Sequence, residues 1–563
     1  MVTGVQTCAL PISQSGVPDG RHLMSRMINP NLAETRYGYD DEGNVTRVED
    51  HYGNTTEFIY AQEIDSPLNP LHKNLLRKVI RPGASLSVPS LEMVYDENGY
   101  LERVYDEKRN FTDYEVNALG LVESVTDRRG NTTTMTYDPT THRLLTITAP
   151  SDVSDPNSGR TVTMGYDSFG NVNSIKDGLN NEVLYQFDAV DRVTQVTDAR
   201  GKVVTMNYVD GLLDNVVAPA NAGSTTNSRT TRFSYDNSGR LTLTESEVGV
   251  STFQARVGYS YTGFSQLKQL KRWKAATQKQ TNYAYDLLGR MTSSTDFGGR
   301  ETVVDHAPFC VENQVTTPRG VLRKSSYDSL CQLVRLETNT ESKRFWYDGR
   351  QRLIKVAVSA PYAEDGYVPQ PEGFQPGRYE DSSWAIITNY YYNELDQLTR
   401  VEHSGGAIDY VYDEEENLIQ ITDTNGRVTG YSYFNDGRLF QVTHNGQVFT
   451  YSYDEVGRLL YIDYPASTKL VASFTKPDNS TGWNENGQLL SLRYFKDGFH
   501  FQSFEYSYDD SGNRIQMIDT PENTGNLVVW DYSYDWLNRL SEVKRGGLTT
   551  ALYAYDESDN RIE

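Results

Sequence analysis

Apolar positions in this chain alternate at period two over short runs, and nowhere do they hold a helical three-to-four spacing over a sustained stretch. In Tyr431-Ser432-Tyr433, Tyr451-Ser452-Tyr453, Tyr506-Ser507-Tyr508 and Tyr532-Ser533-Tyr534, alternation places both rings on one face of an extended strand and a small residue on the other. Runs such as Val193-Thr194-Gln195-Val196-Thr197 and Val203-Val204-Thr205-Met206-Asn207-Tyr208 are β-branched and half polar, as strands with one solvated face should be.

The aromatic runs lead into a repeated turn sequence, Tyr-Asp-x-x-Gly-(Asn/Arg)-(Leu/Val/Ile). Its clearest copies carry Tyr39, Asp40 and Gly43; Tyr166, Asp167 and Gly170; Tyr235, Asp236 and Gly239; Tyr285, Asp286 and Gly289; Tyr453, Asp454 and Gly457; and Tyr508, Asp509 and Gly512. Where copies are uninterrupted, as at Tyr166, Phe187 and Tyr208, they recur about every 21 residues. Asp opening the turn can accept local backbone N–H groups, and Gly at its fourth position tolerates a left-handed exit, so each copy predicts a tight hairpin. A second Asp-x-x-Gly follows half a period later, at Asp50-Gly53, Asp127-Gly130, Asp198-Gly201 and Asp423-Gly426. With both connections short, the prediction is all-β: one continuous antiparallel hairpin meander over residues 35–563. Roughly forty strands at about 4.8 Å are too many to stay flat, so the ribbon is expected to wind as a spiral into a hollow shell or part of one.

Composition supports this reading. The chain has 563 residues with 40 Tyr and 43 Gly against 9 Met. Its formal net charge of −23 argues against a nucleic-acid partner, which would require clustered Lys and Arg. No run of 18 apolar residues is present to span a membrane, and no secretory signal is visible. The three cysteines, Cys8, Cys310 and Cys331, are too few for a disulfide framework and read as free, buried thiols. Residues 1–34 lie outside the repeat, and 1–13 read as non-native sequence. The last residues break off inside a hairpin, so the chain is expected to be a piece of a longer protein. Insertions are expected near 61–90, 149–160, 218–230, 359–383 and 465–486. The longest is rich in Pro, Gly and aromatics, which makes Tyr362, Tyr367, Phe374 and Trp384 a candidate binding loop.

No catalytic signature is found: no Gly-x-Ser-x-Gly, His-Glu-x-x-His, Walker loop or Gly-x-Gly-x-x-Gly. The eight His are scattered, and acidic groups such as Asp40-Asp41-Glu42 and Glu414-Glu415-Glu416 fall at turns, where capping accounts for them. Asp509-Asp510-Ser511-Gly512-Asn513 lacks the alternating spacing and closing Glu of a calcium loop. The expectation is a non-enzymatic chain without cofactor or metal. Two other readings remain: a surface adhesion or carbohydrate-binding module, and a glycosidase on a β-propeller, which the near-identical turns support little.

The Tyr-Asp-x-x-Gly unit, its period and the Val-Thr-Asp-x-x-Gly segment that follows resemble the YD repeat of the Rhs family, shared with the C component of Tc toxins, wall-associated bacterial proteins and teneurins. The resemblance implies a secreted or cell-surface scaffold, a β-cage enclosing a C-terminal toxin domain. The implied partners are the remainder of the polypeptide, that toxin and, on the adhesion reading, cell-surface glycans. Toxin-bearing members of the family close the cage with an Asp-Pro-x-Gly motif at which self-cleavage occurs. Here Asp155-Pro156 is followed by Asn157-Ser158 and Asp138-Pro139 by Thr140-Thr141, so no catalytic residue carries over.

Overall fold

The computed structural model describes residues 23–28, 33–61, 74–219, 228–249, 252–274, 277–296, 298–307, 312–338, 340–359, 386–465, 470–521, 527–535, 539–555 and 561. They form one sheet of 44 strands, from β1 (Arg26–Ile28) to β44 (Leu548–Leu552), and contain no helix. Where register is defined, each strand pairs antiparallel with its neighbours in sequence, as β2 (Glu34–Tyr39) does with β3 (Val45–Glu49) and β3 with β4 (Thr55–Tyr60). The meander read from the alternation is therefore present.

The six clearest Tyr-Asp turns close in the same way, while the Asp138 turn is one residue longer. Asp40 N–H donates to Asn44 O and Gly43 N–H to Asp40 O, both at 3.1 Å, so a type I turn runs into a left-handed residue. The pairing register slips by one residue at this point, between Gly38 and Tyr39, and again at Tyr166, Tyr235, Tyr453 and Tyr508. This is the bulge that a three-residue hairpin loop with a left-handed last residue produces. In a meander, successive turns lie at opposite ends of the strands. The Tyr-Asp turns therefore form one rim of the ribbon, and the turns between repeats form the opposite rim.

The chain divides into two compact units, each drawn from separate stretches of sequence. Unit 1 comprises residues 1–132, 285–293 and 300–429, and unit 2 comprises 133–284, 294–299 and 430–563. Little of either forms a conventional core. Among the described residues the buried apolar side chains are Ala33, Ile80, Ala357, Phe434, Ala472 and Val543, with the prolines Pro89 and Pro465. Cohesion must come from ladders, turns and ring contacts more than from a central apolar mass.

Three details differ from the sequence reading. Cys331 is exposed, not buried, at the fourth, left-handed position of the Asp328 turn (φ 61°). Cys8 and Cys310 lie outside the described residues. Within 61–90 lies β5 (Leu76–Ile80), and within 465–486 lies β38 (Leu470–Ser473), both paired in the ladder. These strands are short and flanked by polar stretches that mask their alternation. Strands also run up to Pro219 and resume at Ser228, while loop 149–160 is drawn in by a bridge from Asp152 to Asp155.

Candidate functional site: tyrosine tethers and turn-to-turn clasps

The residues singled out by the repeat form one recurring constellation. The Asp carboxylate spans its own turn. Asp236 Oδ1 accepts Ser238 N–H at 2.9 Å and Arg240 N–H at 3.1 Å, while Oδ2 accepts Arg240 Nε at 2.7 Å. Asp286 and Asp454 do the same with Arg290 and Arg458. Asp40, Asp167 and Asp509 bond the Asn44, Asn171 and Asn513 side chains instead. This explains the Asn/Arg alternative one residue after the Gly: both supply an N–H donor that reaches Oδ2. Gly43, Gly170, Gly239, Gly289, Gly457 and Gly512 all take positive φ, between 73° and 106°.

The Tyr at the end of each aromatic strand ties its repeat to an earlier one. Tyr166 donates its hydroxyl to Leu144 O at 2.7 Å, Tyr235 to Leu213 O at 2.9 Å, Tyr453 to Leu439 O at 2.9 Å and Tyr508 to Leu489 O at 2.8 Å. Tyr39 donates to Met24 O at 2.8 Å. Tyr285 closes the strand Thr277–Tyr285. The acceptor is typically the first residue after the previous turn, so the Leu of one copy and the Tyr of the next form one bond. At two copies another ring takes the place of Tyr, with His306 Nε2 2.7 Å from Met291 O and Trp483 Nε1 donating to Leu459 O at 2.8 Å, whereas Phe187 at the same position has no donor. The turn arginine adds to this tether. Arg240 lies 4.8 Å from the ring of Tyr261 and reaches Thr262 O, and Arg352 lies 4.9 Å from Tyr392 and reaches Asn393 O. Burial raises the pKa of Tyr39, Tyr453 and Tyr534, which keeps these hydroxyls as donors.

Turns far apart in sequence also meet, within each unit. In unit 1, Arg350 is the centre. Its guanidinium clamps both Glu107 carboxylate oxygens at 2.9 and 3.0 Å, donates to Pro82 O at 2.8 Å and Glu394 O at 2.6 Å, and approaches Asp396 at 3.2 Å. Its side chain is 10% exposed and that of Glu107 5%. Burial works against the Arg350 charge, but hydrogen bonds to Glu107 and Asp396 outweigh it and raise its pKa. Arg81 pairs with Asp396 at 2.6 Å, and Arg128 with Glu416 at 2.6 Å. In unit 2, Arg160 and Arg438 share Asp155 and Asp436, all four being largely buried. Asn435 N–H donates to Asp152 at 2.9 Å, Asn157 to Tyr453 O at 2.7 Å and Asn486 to Asp198 at 2.6 Å.

These clasps were not anticipated from the sequence. Their one visible signal is Arg or Asn inside the turn where the repeat leaves the residue free, as at Arg128, Arg200 and Arg350. Tyr362, Tyr367, Phe374 and Trp384 lie outside the described residues. Among the described residues no group of His, Cys, Asp and Glu is arranged to hold a metal ion, and no helix is long and apolar enough to cross a membrane. The chemistry on view is positional: charge-assisted bonds that fix turns against turns.

The RHS Repeat family model matches residues 116–153 and 392–428. A comparison with curated proteins found no match. Among solved structures, the TcdB2-TccC3-Cdc42 crystal structure aligns over 95% of this chain and 30% of that one, at TM-score 0.55 and 15% identity. The TcdB2-TccC3 crystal structure aligns over 93% and 28%, at TM-score 0.46 and 15% identity. The Photorhabdus luminescens Tc holotoxin pore aligns over 94% and 35%, at TM-score 0.36 and 10% identity. The chain thus spans about a third of the length of these proteins. The RHS repeat in two places, the Tyr-Asp hairpin and a fold shared with part of the first of these structures support a place in the Rhs/YD-repeat family.

Proposed function

We propose that this chain is a non-enzymatic wall segment of a secreted Rhs- or Tc-type toxin shell, enclosing a toxin domain of the same polypeptide and carrying it to a target cell. The observation that supports this most is the likeness to the TcdB2-TccC3-Cdc42 structure over 95% of the chain. The tethers and clasps suit such a role, because a thin wall with little apolar core needs bonds along and across the ribbon to exclude proteases and retain a cargo. Delivery in bacterial competition or host intoxication belongs to the same reading.

The test is a reporter domain fused after residue 563 and exposed to a protease, compared with the free reporter. Slower cleavage in the fusion, restored to the free rate by Arg350→Ala with Arg438→Ala, is the expected outcome. A fused reporter cut as fast as the free one refutes enclosure by this segment.

A further inference from the structure

On the sheet face opposite the repeat tyrosines, lysines are commonly set across from carboxylates. Lys78 pairs with Glu92, Lys176 with Glu182 and Lys324 with Glu337, and such cross-strand pairs stabilise a ladder. One row of the same face in unit 1 departs from this arrangement. It crosses β28 (Ser342–Tyr347), β29 (Leu353–Ser359), β30 (Ile386–Tyr392) and β31 (Leu398–His403). Its register places Trp346 opposite Lys355, Lys355 opposite Asn389 and Asn389 opposite Glu402. The lysine thus faces an amide, and the carboxylate stands one strand further on.

Directly paired residues of an antiparallel ladder hold their Cβ atoms about 4.5–5.5 Å apart, so the four-carbon stem of Lys355 can bring Nζ to Asn389 Cγ. Both side chains are half-buried. On the side away from Asn389, the Lys355 ammonium lies 5.2 Å from the centre of the Trp346 ring. Among the described residues, neither that ammonium nor the Asn389 side-chain amide has a hydrogen-bond partner, so nothing competes for either group. Glu402 is held in place. Tyr391, on the strand and face of Asn389, donates its hydroxyl to Glu402 Oε2 at 3.0 Å, which keeps the carboxylate turned toward β30.

We propose that Lys355 and Asn389 join in an intramolecular isopeptide bond, with Glu402 as the proton carrier. The neutral Lys355 amine attacks Asn389 Cγ as nucleophile. The Glu402 carboxylate takes the proton from Nζ and delivers it to the amide nitrogen, which leaves as ammonia while the Nζ–Cγ amide forms. One amine and one amide give one amide and one ammonia, with no change of oxidation state. The location suits a staple. Strands β29 and β30 flank the longest insertion, residues 360–385, and closing a long loop is costly in chain entropy. A covalent link from 355 to 389 removes that freedom from the unfolded chain, as a disulfide does in chains richer in cysteine. The inference holds whether or not a cargo is carried.

The test is the intact mass of the folded 563-residue chain, followed by a tryptic map. A chain lighter than its sequence by one ammonia, about 17 Da, is expected. Because trypsin cannot cut after an acylated Lys355, residues 353–378 and 379–400 should be recovered as one branched peptide. Glu402→Gln should stop the reaction while still offering Tyr391 an acceptor, so that variant should keep its full mass and release 379–400 alone. Lys355→Arg and Asn389→Ala should do the same. A wild-type chain still at full mass after prolonged warm incubation overturns the proposal. So does an ammonia loss confined to one peptide at an Asn-Gly step such as Asn425-Gly426, which marks a succinimide instead. Cross-linking at the wild-type level in Glu402→Gln overturns the role given to Glu402.

Discussion

Replacing Arg350 with Ala removes the most heavily bonded guanidinium among the clasps. Five acceptors lose a partner: both Glu107 oxygens, Pro82 O, Glu394 O and Asp396 Oδ1. Because both ionic side chains are almost wholly buried, the discount for surface pairs does not apply. Removing one member of a buried pair strands the other charge and costs about 3–5 kcal/mol. Removing both should cost less than the sum, since the Arg350→Ala, Glu107→Ala double variant leaves no stranded charge; a coupling of roughly 2 kcal/mol is expected. Unfolding of a 563-residue array is not two-state, so the assay should be local: hydrogen exchange of peptides spanning 104–112 and 345–353. Arg350→Ala should speed opening there by roughly a hundredfold or more, at about 1.4 kcal/mol per factor of ten, and leave peptides of unit 2 unchanged. Unchanged exchange at both peptides, or a coupling below about 0.5 kcal/mol, would falsify the clasp as a stabilising element.

Gly457 sits at φ 85°, so Gly457→Val should destabilise its hairpin by about 1 kcal/mol or more, while Gln351→Gly, at φ 64°, should gain up to about the same; opposite shifts in melting temperature check the pair. Tyr453→Phe strips the hydroxyl from Leu439 O and should cost about 1 kcal/mol, visible as faster exchange at residues 437–441, with no change there counting against the tether. The Arg240 side chain and N–H lower the pKa of Asp236, and hydrogen bonds to Arg290 lower that of Asp286. Their contribution is present above the unfolded carboxylate value near 3.9 and lost as pH falls through the folded value, so Asp236→Asn should flatten the acid limb of the stability curve. Burial raises the pKa of Asp328, which reverses the sign: its charge penalises the fold above the folded pKa, and Asp328→Asn should stabilise at neutral pH while keeping the turn acceptor. A loss of stability for Asp328→Asn at pH 7 would contradict that sign.

The hairpins were legible because each carries its own instruction: alternation sets the strand, Asp and Gly set the turn, and both lie within a few residues of each other. The aromatic face was legible for the same reason. The tether was half legible, since Tyr and Leu are both in the repeat, but that one donates to the carbonyl of the other depends on a ladder register no single copy contains. The clasps were hidden because they join Arg128 to Glu416 or Asn157 to Tyr453, and the residues involved sit where the repeat imposes nothing. Strands β5 and β38 were missed because no Asp-x-x-Gly turn flanks either to mark its ends.

Repeat arrays commonly drift in copy number, because recombination between near-identical units adds or deletes one without harm to the rest. The clasps between distant turns restrict that freedom here. Duplicating one hairpin between Asp155 and Arg438 would move Arg438 two strands along and present a different turn to Asp155, and every other clasp that spans the duplication would slip with it. Single-unit gains and losses should therefore be purged, while point substitutions at solvent-facing strand positions accumulate freely.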